Sequence, residues 1–270
     1  MSVVLCEKVL SNVELAPGIY KLTFESEYVS SNAKPGQFVN IRCQEGVNTV
    51  LRRPISICTV DRENKTVTVV FQKRGRGTAY LAQKKEGDIL DLIGPLGNGF
   101  DISGSYKNIA VVGGGIGIFP LLFLIEQIKD ADKTAYIGFR SKNFAVLENE
   151  FRKNSNELII STDDGSYGYK GFVTDLLAES LSTEEAETGI KGKKYDIIYA
   201  CGPLPMMKKV AAISLKAGIK CQVSLEQRMG CGIGACLACV CKIKGGQDWQ
   251  YKRICKDGPV FWGEEVDFDG

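Results

Sequence analysis

The chain has 270 residues, with 34 Lys and Arg against 32 Asp and Glu, a formal net charge of +2 and no histidine. So balanced a charge gives no footprint for nucleic acid or an anionic membrane, and the missing histidine removes the commonest acid–base group and any His-based triad. The length suits about two domains, with room for a small appended module.

Residues 1 to about 100 read as short strands: Val3–Val9, Ile19–Glu25, Gln37–Arg42, Leu51–Val60, Thr66–Gln72 and Ile89–Ile93. Turn signals separate them, at Pro17-Gly18, Lys34-Pro35-Gly36, Asp61 to Lys65 and Glu86-Gly87-Asp88. Even spacing of this kind predicts a small antiparallel barrel. Two sites stand out in it. Arg52-Arg53-Pro54-Ile55-Ser56 sets a guanidinium fork beside a rigid extended backbone, which suits a pyrophosphate; solvated arginines on an edge strand are the bland alternative. Gly75-Arg76-Gly77-Thr78 places glycines at the start of a short helical pattern, either an anion nest or a basic surface turn. Together they predict the pyrophosphate site of a flavin.

The polar segment Asp101–Lys107 reads as a linker. Beyond it, strands alternate with helices. Strands are expected at Ile109–Val112, Thr134–Gly138, Leu158–Ser161 and Ile197–Ala200, and helices at Phe119–Asp130, Glu148–Lys153, Val173–Leu181 and Leu204–Ala217. That rhythm predicts an open parallel sheet covered by helices. The apolar run Ile109–Ile125 is interrupted by Gly113, Gly114, Gly115, Gly117 and Pro120, so it reads as strand, turn and helix rather than a membrane span. The glycines there can admit a dinucleotide phosphate or merely allow close strand–helix packing; the fit to G-x-G-x-x-G is imperfect. Cys201, in Ala200-Cys201-Gly202-Pro203, ends the last strand, where it can face a nicotinamide or simply be a small buried residue. Thr162-Asp163-Asp164-Gly165-Ser166 ends another strand and reads as a ribose contact or a polar turn. Thr183–Lys194 is charged and reads as a surface loop.

Near the end lies Cys231-Gly-Ile-Gly-Ala-Cys236-Leu-Ala-Cys239, with Cys255 further on. The pattern C-x4-C-x2-C…C matches the plant-type ligand set of a [2Fe–2S] cluster. Gly232, Gly234 and Ala235 let the loop wrap the cluster and aim N–H groups at sulfur, and the residues before Cys255 can return as a hairpin. Structural zinc favours two C-x2-C knuckles, and only one is present; disulfides favour small secreted chains. Cys241 is a competing fourth ligand, since in an extended segment it points to the same side as Cys239. Met1–Leu10 shows no secretory pattern, so ten cysteines point to a reducing compartment, read as the cytoplasm.

These pieces together resemble the electron-transfer subunit of the class B (NAD-linked) dihydroorotate dehydrogenases, within the ferredoxin reductase superfamily. The resemblance runs over essentially the whole chain. Its carriers are Arg53-Pro54-Ile55-Ser56, Gly75-Arg76-Gly77-Thr78, Gly113-Gly114-Gly115-Ile116-Gly117-Ile118-Phe119-Pro120, Cys201-Gly202-Pro203, the cysteine loop, and Cys255-Lys-Asp-Gly-Pro-Val-Phe261. It implies a multi-domain β plus α/β fold: an FAD-binding barrel over 1–100, an NAD-binding α/β domain over 101–220 and a [2Fe–2S] module over 221–270. It implies FAD held by Arg53, Ser56, Gly77 and Thr78, a nicotinamide site lined by Gly114, Gly115 and Cys201, and iron on Cys231, Cys236, Cys239 and Cys255. It further implies an FMN-containing catalytic partner that oxidises dihydroorotate, with two copies of each chain, and electrons passing through the cluster and FAD to NAD+ in pyrimidine biosynthesis. A rival resemblance is to the small subunit of an NADH-dependent reduced ferredoxin–NADP oxidoreductase, where an aspartate commonly stands at the first ligand position held here by Cys231. A self-sufficient reductase feeding a separate acceptor is a further alternative. Arg140 and Lys142, after the second strand of the sheet, leave NAD against NADP open.

Overall fold

The computed structural model describes residues 3–43, 50–182, 190, 192–246 and 248–269. Most of the expected Thr183–Lys194 surface loop lies outside them.

Six strands close into an antiparallel barrel in the order β1-β2-β5-β4-β3-β6. They are β1 (Val3–Ala16), β2 (Ile19–Glu25), β3 (Phe38–Ile41), β4 (Arg53–Asp61), β5 (Thr66–Gln72) and β6 (Ile89–Leu96). β1 is far longer than expected. It serves two partners, pairing with β6 through Val3–Lys8 and with β2 through Val9–Ala16, and register shifts at Val9/Ser11 and Glu14/Ala16 let it bend between them. Alternate residues fill the barrel: Leu22 and Phe24 from β2, Val39 and Ile41 from β3, Val67, Val69 and Phe71 from β5, and Leu90 and Leu92 from β6. Helix α1 (Glu27–Asn32) was not expected. The Ser26 hydroxyl caps it by accepting from the Val29 N–H at 3.2 Å. A second short helix, α2 (Arg76–Ala82), follows β5.

The second layer is a seven-stranded sheet in the order β10-β9-β8-β7-β11-β12-β15. Its parallel core comprises β7 (Asn108–Gly114), β8 (Asp132–Phe139), β9 (Glu157–Thr162), β11 (Ile197–Cys201) and β12 (Lys220–Ser224). The two-residue strand β10 (Tyr169–Lys170) extends one edge, parallel to β9. Helices α3 (Ile118–Gln127), α4 (Glu148–Asn154), α5 (Val173–Leu181) and α6 (Leu204–Lys216) cover the faces. α3 is buried on every side from Ile118 to Ile125, as a helix without a polar face must be. Phe123 packs into the barrel core while Leu121, Leu122 and Leu124 pack on the sheet, so this helix welds the two layers. The linker is anchored to the sheet: Tyr199 Oη and Gln222 Nε2 both donate to the Asp101 carbonyl, at 3.1 and 3.0 Å.

The C-terminal segment does not stand apart from this sheet. β12 belongs to it, and β15 (Val260–Trp262) returns to pair antiparallel with β12. The expected boundary at 221 therefore falls inside a strand. The reason is non-local: residues 220–224 pair in parallel with β11, and Gln222 is tolerated in the interior there with its amide bonded to Asp101. Between the two strands the chain makes the cysteine loop and the hairpin β13 (Val240–Gly245) and β14 (Asp248–Arg253). One core cluster joins this segment to both layers, holding Phe38 and Leu96 of the barrel, Met207 and Val210 of α6, and Cys239, Ile243, Ile254 and Cys255.

Candidate functional site

The two predicted phosphate sites of the barrel meet in space. A Cβ on Gly77 would lie 2.6 Å from Nε and 3.0 Å from Cζ of Arg53, so the first turn of α2 must lack a side chain for the guanidinium to lie against it. Arg53 Nη1 donates to the Leu51 carbonyl at 2.6 Å, and among the described residues no carboxylate pairs with it. Its neighbour Arg52 is spent otherwise, clamping β4 to β6 through Asp91 at 2.8 Å. Thr78 is a builder of the loop: its hydroxyl accepts from the Arg74 and Gly75 N–H groups, at 2.9 and 3.2 Å. Gly75 is extended and exposed, with open space where a side chain would be. Pro54 and Ser56 stand opposite Asn40 and Phe38, on the outer face of the barrel, while Ile55 turns to the barrel core. The site thus offers one guanidinium held by carbonyls with no carboxylate partner, a bare helix start and a half-buried hydroxyl along one strand.

The glycine run divides its labour. A Cβ on Gly113 would meet Ile118, one on Gly114 would lie 2.7 Å from Met206 Sδ, and one on Gly117 would lie 2.3 Å from the Cys201 carbonyl oxygen. Those three serve close packing of the β7 turn against α3 and the Cys201-Gly202-Pro203 turn. Gly115 differs: its φ is +55° and nothing stands within 4 Å of its missing side chain. It faces the open end of the sheet, where ligands bind in such folds. Cys201 pairs with Gly113 on one side and Ser224 on the other. Burial pushes its thiol up to about 12 against a hydrogen bond with Ser224, so it is a neutral thiol at physiological pH. Asp164 is exposed and closes its own turn, accepting from the N–H and hydroxyl of Ser166 at 2.9 and 2.6 Å, and the Ser166 hydroxyl accepts from the Lys142 N–H. The loops after β8 and β9 are thereby joined.

The four cysteines fall into two pairs. Cys231 N–H donates to Cys236 Sγ at 3.3 Å, and Cys255 N–H to Cys239 Sγ at 3.4 Å. Cys239 and Cys255 are buried, Cys236 is exposed and Cys231 half-exposed. Among the described residues no three His, Cys, Asp or Glu side chains converge to hold a single metal ion; two bridged irons ask instead for two thiolates each. Desolvation works to raise the Cys231 thiol, but N–H groups of Ile233, Cys236 and Ala235 at 3.3–3.5 Å outweigh it and bring it down to about 6. That environment favours thiolate, the form that ligates metal. Gly232 and Gly234, at φ +74° and +84°, make the curl possible. Burial pushes Cys255 up to about 12, with the Cys239 sulfur adding to the rise. Two buried thiols face to face are costly to ionise without a cation between them. Cys241 packs at the margin of the same core and is raised to about 11, by burial first and then by Cys239.

Two residues escaped the sequence reading. Arg253 donates to the Gly234 carbonyl at 3.1 Å while held by Asp257 at 2.9 Å, tying the cysteine loop to its return strand. Asn40, on the barrel, donates to the Cys231 carbonyl at 3.2 Å. A polar residue inside the apolar run Phe38–Ile41 was its only signal.

A family model described as the iron–sulfur cluster binding domain of dihydroorotate dehydrogenase B matches residues 226–267. A protein of Caldanaerobacter subterraneus subsp. tengcongensis, named dihydroorotate dehydrogenase B (NAD(+)), electron transfer subunit, is 44% identical over 261 residues, covering 97% of each chain. Its namesake from Fusobacterium nucleatum subsp. nucleatum is 44% identical over 262 residues, with 96% of each covered. Among solved structures, one of an NADH-dependent reduced ferredoxin–NADP oxidoreductase superposes with a TM-score of 0.84 at 36% identity, over 100% of this chain and 92% of that one. A Neisseria gonorrhoeae ferredoxin NADP+ reductase, at 19% identity and TM-score 0.67, covers 80% of this chain and 92% of its own and shares the fold. With near-complete coverage of relatives at this identity, the chain belongs to the family of electron transfer subunits of dihydroorotate dehydrogenase B (NAD+).

Proposed function

We propose that this chain takes electrons from an FMN-containing subunit that oxidises dihydroorotate and delivers them to NAD+ in the cytoplasm, as half of an assembly with two copies of each chain. The observation that carries the reading is the pairing of cysteines 231 with 236 and 239 with 255, packed on Phe38 and Asn40 of β3, the strand next to the one that bears Pro54 and Ser56. When bound, FAD supplies hydride exchange with nicotinamide and one-electron exchange with a [2Fe–2S] cluster.

The chain's own groups do the binding and shielding. Arg53 meets the FAD pyrophosphate as a charge-assisted fork, with the backbone of Gly75 and Gly77 beside it and Thr78 keeping that turn in shape. Pro54 and Ile55 would hold the strand rigid, and Ser56, on its outer face, would offer a hydroxyl to the flavin. Gly113 and Gly114 let the β7 turn close on α6, and Gly115 gives the NAD phosphates a bare backbone to approach. Cys201 stays a neutral thiol and excludes water from the nicotinamide side, without acting as a nucleophile. Cys231, Cys236, Cys239 and Cys255 ligate the irons, with Cys255 rather than Cys241 as the fourth. The pair formed by Cys231 and Cys236 lies toward solvent, beside exposed Ile233 and Leu237, and this edge receives the partner.

The test is to purify the tagged chain from its own host and assay the eluate for dihydroorotate-dependent NAD+ reduction. A co-purifying FMN subunit with that activity is expected. The isolated chain should reduce artificial acceptors with NADH and leave dihydroorotate untouched. The 36% identity to the ferredoxin–NADP oxidoreductase chain keeps a second reading alive. Co-purification with a larger flavin and iron–sulfur subunit, with activity on ferredoxin and NADP, would establish it in place of the first.

A further inference from the structure

Glu226 follows the end of β12 by two residues and is exposed. Its direction is set by its neighbours. Val223 and Leu225 are buried in the core that holds Met207 and Val210 of α6. Ser224 points to the other side of the strand, where its hydroxyl bonds the Cys201 thiol on β11. The chain stays extended past Ser224, because the Leu225 N–H donates to the Pro259 carbonyl at 2.9 Å. Alternation therefore puts Glu226 on the side of Ser224 and Cys201, about 7 Å further along the strand direction. That is beyond the carboxyl edge of the sheet, in the open mouth where ligands of such folds bind. Among the described residues no lysine or arginine pairs with the Glu226 carboxylate and no hydrogen bond ties it down. Arg228, two residues on, is exposed as well and makes no ion pair with it. The negative charge is nevertheless felt at Cys201, whose thiol it helps to keep neutral.

An open carboxylate at this mouth has a chemical counterpart in the substrate. The nicotinamide ring is a pyridinium cation in NAD+ and neutral in NADH, so accepting a hydride removes one positive charge from the ring. We infer that Glu226 is the group by which this chain tells oxidised from reduced nicotinamide: its carboxylate faces the pyridinium and tightens NAD+ without tightening NADH. The inference rests on the nicotinamide site described above and adds to it a determinant of which redox state is held. Cys201 supplies no such charge, since it stays a thiol, and Ser224 is spent on Cys201. A hydrogen bond from the carboxamide would not discriminate, because both states carry the same carboxamide. Only the ring charge differs between them. The direction suits delivery of electrons to NAD+: the cation is retained until hydride arrives, and the neutral product leaves more readily.

The experiment uses the full chain loaded with FAD and cluster, in its oxidised state, and needs no turnover. Dissociation constants are measured by calorimetry for wild type, E226Q and E226D with NAD+, with tetrahydro-NAD, whose ring is neutral and unreactive, and with ADP-ribose, which has no ring. E226Q keeps the size and loses the charge, so it should bind NAD+ about tenfold more weakly while tetrahydro-NAD and ADP-ribose stay within about twofold of wild type. E226D keeps the charge and should hold NAD+ within about threefold of wild type. Unchanged NAD+ affinity in E226Q overturns the inference. So does an equal loss for all three ligands, which would make Glu226 a support of the fold or of the phosphate end, and so does a loss in E226D as large as in E226Q. A wild-type chain that binds none of the three would instead sink the nicotinamide site on which the inference rests.

Discussion

The contact between Gly77 and Arg53 allows a test that separates folding from flavin binding. Gly77 sits in the first turn of α2, at a negative φ that alanine adopts freely, so G77A should favour the helix by up to about 1 kcal/mol. The added Cβ would nevertheless sit 2.6 Å from Arg53 Nε and 3.0 Å from its Cγ and Cζ. A long side chain can swing away from such a clash. The change is therefore cheap for the fold but removes the guanidinium from its position. Losing one hydrogen bond to a charged group costs about 1.5–3 kcal/mol, which is about 10- to 150-fold in affinity. G77A should thus unfold within a few degrees of wild type while binding FAD about 10- to 150-fold more weakly, measured by flavin fluorescence quenching on the apoprotein. R53A should show a similar loss, and the double variant little more than either alone, since both remove one interaction. Full additivity in that cycle, or wild-type affinity in G77A, would refute the claim that Gly77 serves Arg53.

Three further outcomes are expected. C255S should abolish the visible absorption of the cluster while leaving FAD bound, and C241S should leave both; the reverse result would transfer the fourth ligand to Cys241. G117A places a Cβ 2.3 Å from the Cys201 carbonyl oxygen and 2.5 Å from Gly202 Cα, against backbone on both counts, so it should cost about 1–3 kcal/mol of stability and raise the KM for NAD+ with FAD content unchanged. Burial lifts the Glu126 carboxyl to about 7 against the opposing pull of Lys129 and Lys153. Between its ordinary value of 4.5 and about 7 the folded chain holds a proton that the unfolded chain has released, so stability falls as pH rises through that window; E126Q should be more stable than wild type by about 1–3 kcal/mol at pH 8 and equal to it near pH 4 in chemical denaturation.

Elements carried by local pattern were legible in the sequence. The helix Val173–Leu181 and the strands Ile19–Glu25 and Thr66–Gln72 have the bounds that periodicity and turn residues imply. Elements that exist through distant partners were not. Lys220–Ser224 is short and carries a glutamine, and becomes a strand because β11 offers it a parallel edge, where Gln222 is buried with its amide on Asp101. Val260–Trp262 joins the sheet only because β12 offers it an edge. The site shows the same division. The cysteine spacing names four sulfurs, but their sorting into two pairs is a property of the folded return strand. The glycine run at 113–117 left phosphate contact and close packing open, and the structure assigns packing to Gly113, Gly114 and Gly117 and open backbone to Gly115.

Where the cysteine segment gets its stability decides what iron removal should do. Small metal modules commonly unfold without their metal because the ligand bonds are most of their folding energy. Here the hairpin β13–β14 and the strand β15 rest on apolar contacts that need no metal: Ile243, Ile254 and Val266 share a core with Phe38, Leu96, Met207 and Val210. Arg253 and Asp257 further lock the return strand to itself. The turn from Cys231 to Leu237 has no such apolar support, only the side-chain bonds of Asn40 and Arg253 to two of its carbonyls. Its five side chains are all exposed or half-exposed, it has two glycines at positive φ, and its internal hydrogen bonds end on sulfur. Chelation of iron under reducing conditions should therefore release amide protection in residues 231–237 by several orders of magnitude in hydrogen exchange, while protection in residues 240–245 and 260–262 stays within about tenfold of the loaded chain. Collapse of protection across the whole 226–267 stretch would show that the metal, and not the shared apolar core, holds this segment against the barrel and the sheet.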